Sequence, residues 1–210
     1  MERPDLDAAR ALLVAVGRAF DARGWVPATS GNFSARLADG RIAITMSSRH
    51  KGRLGAADIM TVDAHGRAPD GQSPSAETAL HMQLYRLFPA AGAVLHTHSP
   101  GGVAFSRAFP ARAAWTIEGH ELLKALPGVT THAARVALPI VANDQDMAVL
   151  AAAIEPHLRA TPAPPAYLIR GHGLYGWGRD VAEAERVIEA VEWLLAAELS
   201  ESQFRAGAIA

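Results

Sequence analysis

The chain has no cysteine among its 210 residues. Disulfides, thiolate nucleophiles and cysteine-type zinc sites are therefore excluded, and any metal ion must be held by nitrogen and oxygen ligands. An excess of one charge is also lacking, since the formal net charge is -1 and no run of lysine or arginine occurs. This balance argues against a nucleic-acid partner and against binding to an anionic membrane surface.

Long apolar runs are absent as well. The segment 187–199 is the most apolar, and three glutamates interrupt it. No segment is therefore expected to span a bilayer. The N-terminal segment has no basic-then-apolar signal pattern, so we expect a cytoplasmic protein.

What is present is an ordinary globular composition, with half of the residues hydrophobic and 20 % charged. The length suits one domain, which we place over residues 1–210. Hydrophobic periodicity predicts helices that alternate with short strands, which favours a layered α/β or α+β domain. The predicted strands are 33–37, 42–46, 59–63, 93–98, 136–141, 166–169 and 174–177, and the predicted helices are 6–20, 73–88, a segment from Gly101, 118–126, 147–158 and a segment from Asp180.

Three histidines have the pattern of metal ligands. His96 and His98 lie at the end of an apolar strand, where residues two apart point to the same face. His172 lies between Gly171 and Gly173, which let another group approach the backbone closely. Neutral imidazole is the commonest protein metal ligand, and three nitrogen donors with an open fourth position are typical of a catalytic zinc. Hydrogen-bonded structural histidines are the alternative interpretation.

Carboxylates near these histidines could transfer protons. Glu77 begins the helix that leads into the His96 strand, and Glu118 and Glu121 lie in the segment that follows it. The segment 118–124 places four ionisable groups beside apolar neighbours, an arrangement typical of shifted pKa values. Each glutamate could equally do no more than complement a helix dipole.

Small polar clusters in 29–32, 45–48 and 74–75 could bind a phosphate. They offer hydroxyl, amide and backbone N–H donors at strand ends and at a predicted helix start. Ordinary turn chemistry explains the same residues equally well. No P-loop lysine motif, dinucleotide glycine motif or serine-hydrolase elbow occurs, so nucleotide cofactors and serine hydrolysis are not expected.

Four motifs stand in the order and spacing of the class II aldolase/adducin superfamily, which the chain resembles from about Trp25 to Leu195. They are TSGNFS at 29–34, PSAE at 74–77, HTH at 96–98 and RGHG at 170–173. Three further segments resemble the sugar-phosphate dehydratases of this superfamily rather than its aldolases. These are RHKGRL at 49–54, EGHELLK at 118–124 and NDQD at 143–146.

The resemblance implies a fold, an assembly and a metal site. The fold would be an α/β/α sandwich with a mainly antiparallel central sheet, assembled as a homotetramer. One Zn²⁺ ion per subunit, or another divalent metal, would be bound by His96, His98 and His172. Glu121 matches the acid/base residue of the dehydratases. Glu77 matches a carboxylate near the metal in aldolases and is the second choice for that role.

The same resemblance implies a small-molecule substrate that carries a phosphate. Asn32, Ser47 and Ser75 match positions that contact phosphate in the aldolases. Ser48 departs from the pattern, which usually has glycine there, and this weakens the assignment around Ser47.

The expected reaction is dehydration of a sugar phosphate through a metal-stabilised enediolate. Two other functions remain open at this point. A sugar-phosphate aldolase or epimerase would use the same enediolate, because fold and metal site alone do not decide the chemistry. A non-catalytic scaffold, like the adducin head domain, would need neither the three histidines nor Glu121.

Overall fold

Within residues 3–69 and 71–208, which the structure describes, this computed structural model contains five α-helices and eight strands. The two ends of the predicted 1–210 domain lie outside the described residues. The helices are α1 (Leu6–Ala22), α2 (Thr78–Leu87), α3 (Pro100–Ala108), α4 (Met147–Leu158) and α5 (Val181–Gln203). The strands are β1 (Asn32–Arg36), β2 (Ile42–Thr45), β3 (Ile59–Val62), β4 (Ala93–Thr97), β5 (Ala114–Ile117), β6 (Val136–Val141), β7 (Ala166–Ile169) and β8 (Gly173–Gly178).

The strands form one mixed sheet in the order β3-β2-β1-β4-β8-β7-β6-β5. Only β6 and β7 run parallel among the described pairs, and every other pair is antiparallel. The predicted mainly antiparallel sheet is therefore confirmed. β4 and β8 pair at the centre, with His96 opposite Tyr175.

Helices cover both faces of this sheet, as the predicted sandwich requires. Apolar residues of α1 and α5 form one core on the first face, and α3 packs there through Phe105. Residues of α2 and α4, such as Leu84 and Ile154, form a second core on the opposite face. Side chains alternate along a strand, so Leu95 of β4 enters the first core and Val94 enters the second. We call these the α5 face and the α2 face.

Capping residues explain several helix starts. The Asp180 side chain accepts a hydrogen bond from the backbone N–H of Glu183, as the predicted capping pattern requires. Ser99 caps α3 in the same way, with Pro100 at the first helical position. Within the described residues, no helix is both long enough and apolar enough to cross a membrane.

Two predicted helices were wrong in extent, and one strand was missed. The helix predicted to begin at Ser73–Pro74 begins at Thr78 instead. Pro74 pairs with Met46 as an isolated bridge, so this segment is extended beside the end of β2 and does not enter the helix. Strand β5 was not predicted, and the helix predicted over 118–126 shortens to a 3₁₀ turn, Glu121–Ala125.

Candidate metal centre

The end of strand β4 brings two of the predicted histidines to the site. Alternation places His96 on the α2 face, and its side chain is fully buried. His98 follows the strand, and its backbone N–H donates to the carbonyl oxygen of Trp25 at 2.7 Å. His172 arrives from the turn between β7 and β8, because β8 is the direct neighbour of β4.

The three imidazoles converge with one carboxylate. The ring centroids are 4.5 Å apart for His96 and His98, 4.6 Å for His98 and His172, and 5.1 Å for His96 and His172. Glu77, at the start of α2, joins them. One candidate ligand atom from each of the four residues lies within 4.8 Å of all the others.

Hydrogen bonds orient two of the rings. The Nδ1 of His96 donates to the carbonyl oxygen of Leu174 at 2.9 Å, and the Nδ1 of His172 lies 3.2 Å from the Oδ1 of Asn143. Both rings are thereby held with the Nε2 lone pair directed towards the cluster. Burial lowers the pKa of His96 to about 4 and that of His98 to about 3, so both rings are neutral at pH 7.

The neutral His96 ring faces a carboxylate with its Nε2 lone pair, which is an unfavourable contact between acceptors. The Nε2 atoms of His96 and His172 each lie 3.2 Å from an oxygen of Glu77. The Nε2 atoms of His96 and His98 are buried and have no hydrogen-bond partner among the described residues. Converging lone pairs without donors are stabilised by a cation, so the residues fit a divalent metal ion.

A hydrogen bond from Tyr175 stabilises the charged form of Glu77. Burial acts to raise the pKa of Glu77, whereas this hydrogen bond acts to lower it. The Tyr175 hydroxyl donates this bond, and its ring stacks on His96 with a centroid separation of 4.0 Å. Tyr175 thus orients the carboxylate from the sheet side.

Hydrogen bonds from Arg170 fix the turn that carries His172. The Arg170 guanidinium donates to the carbonyl oxygens of Ser106, Phe109 and Arg112 at 2.6, 3.1 and 2.7 Å. Gly173 lets β8 approach β4, because a Cβ there would lie 1.9 Å from a carbonyl oxygen of β4. These contacts explain Arg170 and Gly173 of the RGHG motif as packing requirements around His172.

A polar cavity of about 190 Å³ opens beside Glu77 and His98. The predicted phosphate-contacting residues Asn32, Ser47 and Ser75 all line it. Hydroxyl and amide donors therefore surround a space next to the four-residue cluster.

Two of these residues have informative local structure. Ser48 has a φ of +59°, a conformation that favours glycine, and this accounts for glycine at the corresponding position of the pattern. The Asn32 side chain is hydrogen-bonded to the fully buried His81, whose Nδ1 lies 2.7 Å from the Ser34 hydroxyl. His81 thus supports Asn32 and is absent from the cluster.

The structure keeps Glu121 away from the histidines of the same chain. It lies in the 3₁₀ turn after β5, four strands from β4, which is roughly 19 Å at the usual strand spacing. Leu123 packs this turn into the α5-face core, whereas the histidines lie on the α2 face. The Glu121 side chain is 71 % exposed and pairs with Lys124, and this hydrogen bond lowers the pKa of Glu121.

Several residues of the site were not identified from sequence. Lys51 and Tyr175 border the cavity and the cluster, and Asn143 orients His172. Lys51 and Asn143 lie within segments that resemble the dehydratases, which was the available signal. No sequence signal pointed to Tyr175, because its strand has the pattern of an ordinary buried strand.

The sequence of this chain matches one family model and is similar to several named proteins. A family model described as "Class II Aldolase and Adducin N-terminal domain" matches residues 11–199. Proteins named methylthioribulose-1-phosphate dehydratase are similar over nearly their whole length. The protein from Methylococcus capsulatus is 54 % identical over 194 residues, which cover 92 % of this chain and 94 % of that one. The protein from Acidiphilium cryptum is 50 % identical over 208 residues, which cover 97 % and 96 %.

Solved structures show the same fold. The L-fuculose-1-phosphate aldolase from Thermus thermophilus superimposes with a TM-score of 0.76 at 27 % identity, covering 96 % of this chain and 97 % of that chain. A sugar-phosphate aldolase from Thermotoga maritima superimposes with a TM-score of 0.72 at 16 % identity, covering 97 % of both chains, which supports the fold alone.

Proposed function

Because the chain belongs to the class II aldolase and adducin family, we propose that it dehydrates 5-methylthioribulose 1-phosphate to 2,3-diketo-5-methylthiopentyl 1-phosphate in methionine salvage. The enzyme is then a hydro-lyase. The observation that carries this proposal is identity of about half, over more than nine tenths of both chains, with proteins named for that reaction. The four-residue cluster and the adjoining polar cavity supply the chemistry that such a substrate needs.

The cluster is proposed to bind one divalent metal ion per subunit, with zinc as the first choice. His96, His98 and His172 supply three nitrogen ligands, and an open position remains for substrate. A divalent cation bound there would polarise the C2 carbonyl of the ketose and make the C3 proton acidic. The hydrogen bonds to Leu174 and Asn143 keep the ligand lone pairs in place.

The chain's carboxylates are proposed to move the protons. One carboxylate takes the proton from C3, and the C4 hydroxyl then leaves as water after it receives a proton. We assign this role to Glu121, with Glu77 as the second choice. Glu77 lies against two of the ligands, which suits it to binding the metal or the substrate. Acid/base transfer needs a carboxylate within about 3 Å of the moving proton, so the Glu121 that acts must come from a neighbouring subunit.

This requirement supports the proposed homotetramer. A second copy that places its exposed Glu121 at the cavity would complete the site, and the exposure of this side chain supports the proposal. Light scattering at micromolar concentration should give four times the chain mass. A monomeric mass with full activity would contradict both the assembly and the role of a neighbouring Glu121.

The polar cavity is proposed to bind the substrate phosphate. Asn32, Ser47 and Ser75 offer neutral donors, which bind phosphate oxygens without neutralising them. The cavity lies next to Glu77 and His98, so a bound phosphate would hold the ketose near the metal ligands.

An aldolase or epimerase remains the rival function, because the solved aldolase structures share this fold. Purified protein should be incubated with methylthioribulose 1-phosphate, and both diketone formation and aldehyde release should be followed. We expect the diketone, and little or no cleavage of fuculose or rhamnulose 1-phosphate. Efficient release of dihydroxyacetone phosphate from a deoxy-sugar phosphate would favour the rival. A non-catalytic scaffold would show neither reaction and no stoichiometric metal.

A further inference from the structure

Lys51 is a buried cation at the wall of the polar cavity. It is only 2 % exposed, although lysine is almost never fully buried without a charged partner. No carboxylate of the described residues lies within 4.0 Å of its Nζ. The cavity therefore has a positive charge on its wall that no described protein anion neutralises in direct contact.

The hydrogen bonds of Lys51 leave one donor free. Its Nζ donates to the carbonyl oxygens of Thr29 at 2.7 Å and of Arg49 at 2.6 Å. A lysine ammonium has three N–H groups, and the described residues supply no acceptor for the third. The two bonds made also tie together the segments 29–32 and 46–49, and residues 29–32 and 46–48 of these segments line the cavity.

Packing fixes the position of this lysine. Lys51 begins a short 3₁₀ turn, Lys51–Arg53, which contacts α1. A Cβ on Gly17 of α1 would lie 2.3 Å from the carbonyl oxygen of Lys51, so the turn packs directly on the helix backbone. The packed turn thus fixes the Lys51 ammonium at the cavity, whereas a lysine on the surface would be flexible.

The electrostatics favour an anion as the missing partner. Burial lowers the pKa of Lys51 to about 8, while Glu77 acts in the opposite direction, so the lysine remains mostly charged at pH 7. The other donors of the cavity come from neutral residues such as Asn32 and Ser75. A phosphate dianion in the cavity would bring the charge that Lys51 lacks, with an N⁺–H···O⁻ bond stronger than a neutral one.

We propose that Lys51 binds the phosphate group of the substrate through its third N–H and is the residue that selects phosphorylated over unphosphorylated sugars. The proposal for Lys51 rests on the proposed function only for the identity of the sugar that carries the phosphate. Two loop carbonyls hold the ammonium in place, and the surrounding hydroxyls complete the phosphate coordination. No resemblance to the aldolases assigned a role to this lysine.

The test compares variants of the metal-loaded enzyme. Lys51→Met removes the charge and all donors, and Lys51→Gln keeps two N–H donors for the two carbonyls but removes the charge. Arg53→Met is the matched control, because Arg53 lies in the same turn and is exposed. For each protein, calorimetry gives the affinity for inorganic phosphate, kinetics give kcat/KM, and metal analysis gives occupancy.

Both Lys51 variants should bind inorganic phosphate at least about 10-fold more weakly and lose about 10- to 100-fold in kcat/KM, the usual worth of a hydrogen bond to a charged group. Metal occupancy should not change, and Arg53→Met should behave like the unchanged protein. Unaltered phosphate affinity in folded Lys51→Gln or Lys51→Met would show that the lysine only ties the loops and would overturn the proposal.

A measurement on the unchanged protein guards against variants that fail to fold. The ¹⁵Nζ resonance of Lys51 should shift when inorganic phosphate is added, and absence of a shift at millimolar phosphate would overturn the proposal. Failure of the proposed function gives a different result. The protein would then leave methylthioribulose 1-phosphate unchanged, while the phosphate affinities of the variants would still decide the role of Lys51.

Discussion

Replacing Glu192 by glutamine should stabilise the protein at pH 8 and have little effect near pH 4.5. Glu192 lies in α5 and is 5 % exposed. Its carboxylate accepts hydrogen bonds from the hydroxyls of Thr97, at 3.1 Å, and Ser99, the residues on either side of His98. Burial raises the pKa of Glu192 from its ordinary 4.5 to about 7, and the two hydroxyls only partly offset this.

The sign and size follow from linkage between protonation and folding. The pKa of Glu192 is higher in the folded than in the unfolded state. Below about pH 4.5 the carboxyl is protonated in both states, so it does not lower the free energy of unfolding. As the pH rises from 4.5 to 7, ionisation of Glu192 lowers the free energy of unfolding, and the loss is complete above that range. A difference of about 2.5 between the two pKa values corresponds to about 3 kcal/mol, at 1.36 kcal/mol for each unit. Glutamine keeps the oxygen that accepts the hydroxyl bonds, but its NH₂ group needs an acceptor, so about 3 kcal/mol is an upper bound.

Urea unfolding at pH 5 and pH 8, at one fixed metal concentration, measures this effect. The free energy of unfolding of Glu192→Gln should exceed that of the unchanged protein by about 1–3 kcal/mol at pH 8 and by far less at pH 5. Glu189→Gln is the control on the same helix, since its ion pair with Arg23 is partly exposed to solvent and worth at most about 1 kcal/mol. Equal differences at both pH values would refute the argument from burial.

The remaining predictions concern the site. His98→Ala should lose the bound metal by elemental analysis, and full occupancy would exclude this ligand set. Glu121→Gln should retain metal and lower kcat by ~10²–10⁴-fold, the usual worth of an acid/base group, whereas Glu77→Gln should mainly weaken metal or substrate binding; the opposite result would exchange the two roles. Gly173→Ala should lower the melting temperature, because its Cβ would lie 1.9 Å from a carbonyl oxygen. Gly101→Ala has open space and should melt normally.

Local physical chemistry made much of this molecule predictable from sequence. The two-residue period of a strand places His96 and His98 on one face wherever the strand lies. Asp180 caps α5 through a contact three residues away, which the chain can make without any tertiary partner. Both predictions hold because the interactions behind them involve neighbours in sequence. The motifs around these residues, in their order along the chain, also indicated the family.

Other features depend on which strands become neighbours, and local patterns do not contain that information. His172 meets His96 because β8 pairs with β4, and Glu77 reaches both from the start of α2. The same sheet order sends Glu121 to the far edge. No local pattern around Lys51 indicates burial, yet packing of its turn on α1 buries it beside the cavity. The sequence by itself thus determined the ligand types and their strand geometry. The tertiary structure decided which charged side chains meet, because burial and strand pairing depend on how the whole chain packs.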